Sequence, residues 1–185
     1  ETGQPGEYFS IEDLENLQRN GTTPVGFLAI VACSVIESES PGKAVQYGHG
    51  IGGTRREMES DYLHELADEN QWSMFAVDWT GLKFDDMGSI ALTLIQNPSG
   101  ITTVMDRSAQ GFAEQMTISY AIRQAGNLEL PAFQQNGKPL IDAGPVSYYG
   151  NSLGGVLGGG YIAFNPAIDR AVLGVSGAPF SLLLT

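Results

Sequence analysis

The strongest constraint in the chain is the stretch Tyr148-Tyr149-Gly150-Asn151-Ser152-Leu153-Gly154-Gly155, which stands between a β-like and a helix-like segment. Residues 146–149 carry the side chains of a short strand, and residues 154–164 are small enough for a closely packed helix. A serine between them must sit on a sharp strand-to-helix reversal. The residues two before and two after it come close together, and side chains there would clash. Gly150 and Gly154 remove that clash. The following helix aims its N-terminus at the serine, which favours developing negative charge. In a chain with 24 glycines this spacing also arises by chance, so the strand–turn–helix setting carries the weight. Ser152 is the candidate nucleophile.

A second glycine-rich stretch, Gly48-His49-Gly50-Ile51-Gly52-Gly53, follows a strand candidate at 43–47 and precedes a helical stretch at 54–70. Acyl transfer passes through a tetrahedral oxyanion, which needs two backbone N–H groups aimed at it. One comes from the residue after the nucleophile and one from an upstream loop. Here those are Leu153 and Ile51, with Gly50 as second choice. His49 is expected to brace the loop by hydrogen bonds rather than act as the base. A plain structural turn is the other option. A phosphate loop is disfavoured, because the Lys and Ser/Thr of a P-loop and the Gly-x-Gly-x-x-Gly spacing are absent.

The rest of the chain alternates in the same way. Residues 25–36 read as a buried strand containing the single cysteine, Cys33, expected as a buried structural thiol. One cysteine excludes an intrachain disulfide and a Cys-based metal site. Residues 54–70 place Met58, Tyr62 and Leu66 on one helix face, joined by Leu63 and Ala67. Residues 72–78 read as a strand. Residues 106–125 read as an amphipathic helix with Phe112, Met116, Ile118 and Ile122. Asn136-Gly137 predicts a tight hairpin turn. Residues 171–175 read as a last strand. Residues 1–24 form a polar N-terminal extension with a short helix capped at Ser10, and residues 25–185 form one domain. This alternation predicts an α/β fold with a mainly parallel sheet and flanking helices.

Composition removes several classes. The net charge is −12, with 9 Lys and Arg against 21 Asp and Glu, which argues against nucleic acid and against docking on anionic membranes by charge. No apolar run is long enough to span a bilayer. Asp85-Asp86 reads as a solvated loop pair, so neither a metal nor a cofactor is expected. The chain begins at Glu1 without a signal peptide, as a processed chain would, and an extracytoplasmic, secreted location is the expectation.

Together the motifs resemble the α/β-hydrolase superfamily, and look most like its bacterial, often exported, esterase- or lipase-like members. The resemblance rests on His49-Gly50-Ile51-Gly52-Gly53, on Asp78-Trp79-Thr80-Gly81 and on Tyr148 through Gly155, and runs from about Val25 onward. It implies that 43–47, 72–78, 146–149 and 171–175 are the third to sixth strands of that fold, which is incomplete after about the sixth. Asp78 and Trp79 then lie at the C-terminal edge of the sheet, as strand-end structure rather than substrate contacts.

The triad order in this superfamily is Ser, acid, His. No histidine follows Ser152; the two in the chain are His49 and His64, and His64 is expected on a helix surface. The one downstream acid, Asp169, is expected before the last strand, at its wrong end. The chain closes on apolar residues 181–185, an unusual exposed end. The expectation is therefore the N-terminal piece of a longer hydrolase. A second polypeptide fragment would pair with the open sheet edge and supply His and Asp/Glu, leaving this chain alone inactive. Leu153, Val156 and Phe180 suit an apolar acyl group, so an ester-type or lipid substrate is expected, although amidases and polyester depolymerases use the same parts. The competing expectation is a non-catalytic binding or assembly module.

Overall fold

The computed structural model describes residues 22–124 and 129–177. The helix expected at Ser10, Ala125, Phe180 and residues 181–185 lie outside the described residues.

The sheet has five strands: β1 (Phe27–Val31), β2 (Lys43–Gly48), β3 (Trp72–Val77), β6 (Val146–Asn151) and β7 (Ile168–Gly174). Their spatial order is β1-β3-β2-β6-β7. β1 runs antiparallel to β3, and every other pair is parallel. The fold is therefore α/β, with a mixed but mostly parallel sheet. A separate two-stranded hairpin joins β4 (Gln134–Gln135) to β5 (Lys138–Pro139). Its turn residues Asn136 and Gly137 both have positive φ, 53° and 75°, as a twist-matched hairpin turn requires.

Alternation along the central strands feeds two cores. Val45, Tyr47, Met74 and Ala76 face one side, where they meet Val35 of helix α1 (Cys33–Ser38) and Leu63 and Ala67 of α2 (Asp61–Asn70). Ala44, Phe75, Val77 and Val146 face the other side, against Ile118 and Ile122 of α4 (Ile101–Arg123). α5 (Leu153–Phe164) joins that second layer through Tyr148, Trp79 and Tyr161. With both faces covered, residues 74–77 are almost fully buried and read as a continuous apolar run. Beneath α4 and α5 a neutral polar network is also buried. Gln46 donates to the Gln115 side chain, Gln115 to the Val77 carbonyl at 2.9 Å, and Tyr161 to Gln46 at 2.6 Å. Burial pushes the Tyr161 phenol up to about 12, so it stays a donor.

Several expectations are corrected. The apolar run 25–36 is not one buried strand: β1 ends at Val31 and α1 begins at Cys33. Ser34 turns the chain by binding Asp68 through both its N–H and its hydroxyl, each at 2.7 Å. Cys33 is consequently exposed, not a buried thiol. The helical stretch 54–70 is broken at Ser60 into a 3-10 turn (Arg55–Glu59) and α2. The break re-phases the helix, so Met58, Leu63 and Ala67 are buried while Tyr62 is 47% exposed.

The long helix starts at Ile101 rather than Asp106. An unexpected helix, α3 (Met87–Gln96), precedes it with no buried residue. Asp86 is not solvated. It is buried, pairs with Arg107 and accepts the Gly81 N–H at 2.8 Å. β7 starts at Ile168, so Asp169 lies inside the strand, exposed, rather than before it. Among the described residues, no helix is long and apolar enough to cross a membrane.

Candidate active site

The strand order creates the site. The chain leaves β2 for β3 on one side, and later leaves β6 for β7 on the other. The loops after β2 and β6 therefore diverge at their C-terminal ends, where open α/β sheets form their ligand crevice. Gly48 and Gly150 are register partners at those ends. The two glycine-rich stretches, 102 residues apart in sequence by that pairing, thus become neighbours.

Ser152 sits on the reversal with φ 54° and ψ −116°, a region a non-glycine residue rarely adopts. Holding it there costs about 1–3 kcal/mol. The conformation is over-determined by its neighbours. The Ser152 N–H donates to the Gly174 carbonyl at 3.0 Å, and the Ser152 carbonyl accepts the N–H groups of Gly155 and Val156 at 2.9 Å each. A Cβ on Gly150 would overlap the Gly154 carbonyl, and one on Gly154 would overlap the Gly48 carbonyl. The two glycines are thus required by direct backbone approach. Tyr148 donates to the Gly154 carbonyl at 2.7 Å and closes the elbow from below.

The upstream loop is clamped peptide by peptide. His49 is fully buried, and its Nε2 accepts the Trp79 N–H at 2.8 Å. Nε2 therefore carries no proton, so Nδ1 does, and it donates to the Gly50 carbonyl at 2.7 Å. Burial pushes the His49 pKa down, and its hydrogen bond to Gly50 and the nearby Glu57 charge only partly oppose this. The ring is neutral and has no free nitrogen, which fits a brace and not a base.

A trans peptide is planar, so fixing a carbonyl fixes the next N–H on the opposite side. With the Gly50 carbonyl held by the buried imidazole, the Ile51 N–H faces away from it. The preceding peptide is held at both ends. The Gly50 N–H donates to Glu57 Oε2 at 3.0 Å, and the His49 carbonyl accepts the Gly154 N–H at 3.0 Å. The Gly50 N–H is therefore engaged. Among the described residues, the N–H groups of Ile51 and Leu153 donate to no protein acceptor. Gly50 packs beside Ser152: a Cβ built on it would lie 3.6 Å from Ser152 Cβ and 3.9 Å from Oγ.

The structure therefore assembles Ser152, Leu153, Gly50, Ile51, His49, Gly150 and Gly154 in one place. It leaves out His64, which is exposed on α2. His64 lines a cavity of about 290 Å³ with Ile30, Cys33 and Asp68 at the opposite end of the sheet. Asp78 and Trp79 are strand-end structure. Asp78 accepts the Arg55 N–H at 2.7 Å and pairs with its guanidinium, while Trp79 is buried against Phe112 and Tyr161.

Sequence reasoning missed Glu57 altogether. Its one signal was an acid in the first turn after the glycine loop. Among the described residues no cluster of three His, Cys, Asp or Glu stands together to hold a metal. Compared with known proteins, the sequence matches no family model and no curated protein.

Proposed function

We propose that this chain carries the nucleophile and the oxyanion-binding half of a serine hydrolase of the α/β-hydrolase type, acting on an ester. The observation that carries this is the pair of unspent N–H groups, Leu153 and Ile51, beside a serine held at φ 54° on a helix N-terminus. The position of both loops at the switch point of a mostly parallel sheet supports the superfamily reading.

Ser152 Oγ attacks the ester carbonyl carbon and loses its proton to an imidazole. The carbonyl oxygen becomes the oxyanion, held by the Leu153 and Ile51 N–H groups. Collapse breaks the bond to the alkoxy oxygen, which leaves as the alcohol with the proton from the imidazole. Water then releases the acid from the acyl-serine. His49 has both ring nitrogens engaged and His64 lies exposed at the opposite end of the sheet, so the imidazole and its acid come from outside these residues. A second polypeptide supplying them would pair with the outer edge of β7, where Val172 is 63% exposed. Leu153 and the exposed Ile51 favour an apolar acyl group over a charged one.

The test is labelling by a fluorophosphonate with that complement present: Ser152 is modified, and Ser152→Ala removes the label. A second reading, a non-catalytic binding module, is favoured by the His49 geometry, which among the described residues leaves no free imidazole at Ser152. Absence of labelling in the complete assembly decides for it.

A further inference from the structure

Glu57 has no part in the chemistry above, yet its carboxylate lies under the loop that presents the Ile51 N–H. We propose that Glu57 is a positioning residue, holding the His49–Gly50 peptide so that the Ile51 N–H is the one donor this loop offers. The inference rests on the serine-hydrolase reading of the same site.

Four of the six residues 48–53 are glycine. Glycine accepts either sign of φ, so such a loop has little intrinsic preference for one orientation of its peptides. Two of its restraints come from the loop and the elbow themselves, His49 Nδ1–H to the Gly50 carbonyl and Gly154 N–H to the His49 carbonyl. Glu57 adds a charge-assisted bond from a separate element to the Gly50 N–H, at 3.0 Å. If that peptide flipped, the His49 carbonyl would leave Gly154 and point where the Gly50 N–H now points, at the Glu57 carboxylate, so Glu57 opposes the flip by repulsion as well as by its hydrogen bond.

Glu57 is itself fixed. The Tyr47 hydroxyl donates to its Oε2 at 3.1 Å, and burial keeps that phenol protonated. Its backbone carbonyl accepts the Ser60 hydroxyl at 2.7 Å. A Cβ on Gly53 would overlap the carboxylate, so glycine at 53 is what admits Glu57 beneath the loop. A Cβ on Gly50 would stand 3.6 Å from Glu57 Oε1 and equally 3.6 Å from Ser152 Cβ. The carboxylate is thus one residue removed from the nucleophile and acts through Gly50. A negative charge so near an oxyanion opposes it, so the useful property is the acceptor oxygen and not the charge.

The experiment compares Glu57→Gln and Glu57→Ala in the assembly that supplies the base, using a short-chain p-nitrophenyl ester. Amide exchange at Gly50 is followed in the chain itself. Glu57→Gln keeps an acceptor and is expected to hold kcat within about threefold. Glu57→Ala is expected to lower kcat about 10- to 100-fold with KM changed less than threefold, below the loss from deleting an oxyanion donor. It should also speed Gly50 exchange at least tenfold, with the fold intact by circular dichroism.

Equal kcat in Glu57→Ala and wild type overturns the inference, as does Gln damaging kcat as much as Ala. If Glu57→Ala does not fold, Glu57→Gln decides. Retained kcat and Gly50 protection support the clamp, and loss of either overturns it. An unlabelled Ser152 in wild type sinks the serine reading and this inference with it, whereas a labelled wild type with an indifferent Glu57→Ala sinks this inference alone.

Discussion

The two ends of the sheet hold similar side chains and differ in what they do with them. At the C-terminal end of β2 and β6 stand Ser152 and His49, with Glu57 beneath the loop. At the opposite end a cavity of about 290 Å³ gathers Cys33, His64, Glu65 and Asp68. By inventory the second group looks the more reactive. Yet Cys33 and His64 are exposed, and Asp68 is taken up by Ser34. At the first end His49 has both nitrogens engaged, Ser152 is held at positive φ, and unspent backbone N–H groups stand beside it. Placement of the backbone, and not the list of nucleophiles, separates the two.

The largest effect expected from this contrast is on labelling. Ser152→Ala should abolish fluorophosphonate modification in the complete assembly, and Cys33→Ser should leave it unchanged. Modification that followed Cys33 instead would reverse the assignment of the two ends.

Next is Gly154→Ala, which drives a methyl into the Gly48 carbonyl and should cost about 3 kcal/mol in urea unfolding. Cys33→Ala, at the other end, should stay within about 0.5 kcal/mol. His49→Ala removes the acceptor of the Trp79 N–H and the donor to Gly50, and should cost about 2–4 kcal/mol. His64→Ala should again be near neutral. Equal costs for the two histidines would remove the distinction.

The smallest effect is in pH. Burial lowers the His49 pKa in the folded chain below its ordinary 6.5. Above that value neither state binds the proton, and the contribution of neutral His49 is complete. As pH falls below it, the unfolded state gains a proton that the folded state refuses. Stability should then drop by at most about 1.4 kcal/mol per pH unit from this group, until the folded pKa is passed. Urea midpoints at pH 7.5, 6.5 and 5.5 test this, and His49→Gln should flatten the slope. A wild-type slope that survives the substitution places its origin elsewhere.

The elbow was legible because its logic is local. Glycine two before a serine, between a strand and a small-residue helix, answers to the Gly154 carbonyl four residues on, although Gly154 itself answers to Gly48 on the neighbouring strand. The hairpin at Asn136-Gly137 was legible for the same reason, since positive φ at both turn positions selects those residues. The apolar run 25–36 was misread because short apolar stretches carry no clear period. Only the hydrogen bonds of Ser34 to Asp68 reveal that strand gives way to helix there. Asp86 looked solvated because its partner, Arg107, lies 21 residues away.

Residue identity and short spacing thus settled the strand-to-helix turn at Ser152, the glycine loop and the alternation of strand and helix, most of which depend on neighbours along the chain. The β1-β3-β2-β6-β7 order, the meeting of the two loops, the tautomer of His49 and the engagement of the Gly50 N–H by Glu57 were decided only on folding. Each depends on hydrogen-bonding partners brought together by sheet pairing. A peptide's orientation is set by what accepts its N–H in space, and that partner has no signature in the residues beside it.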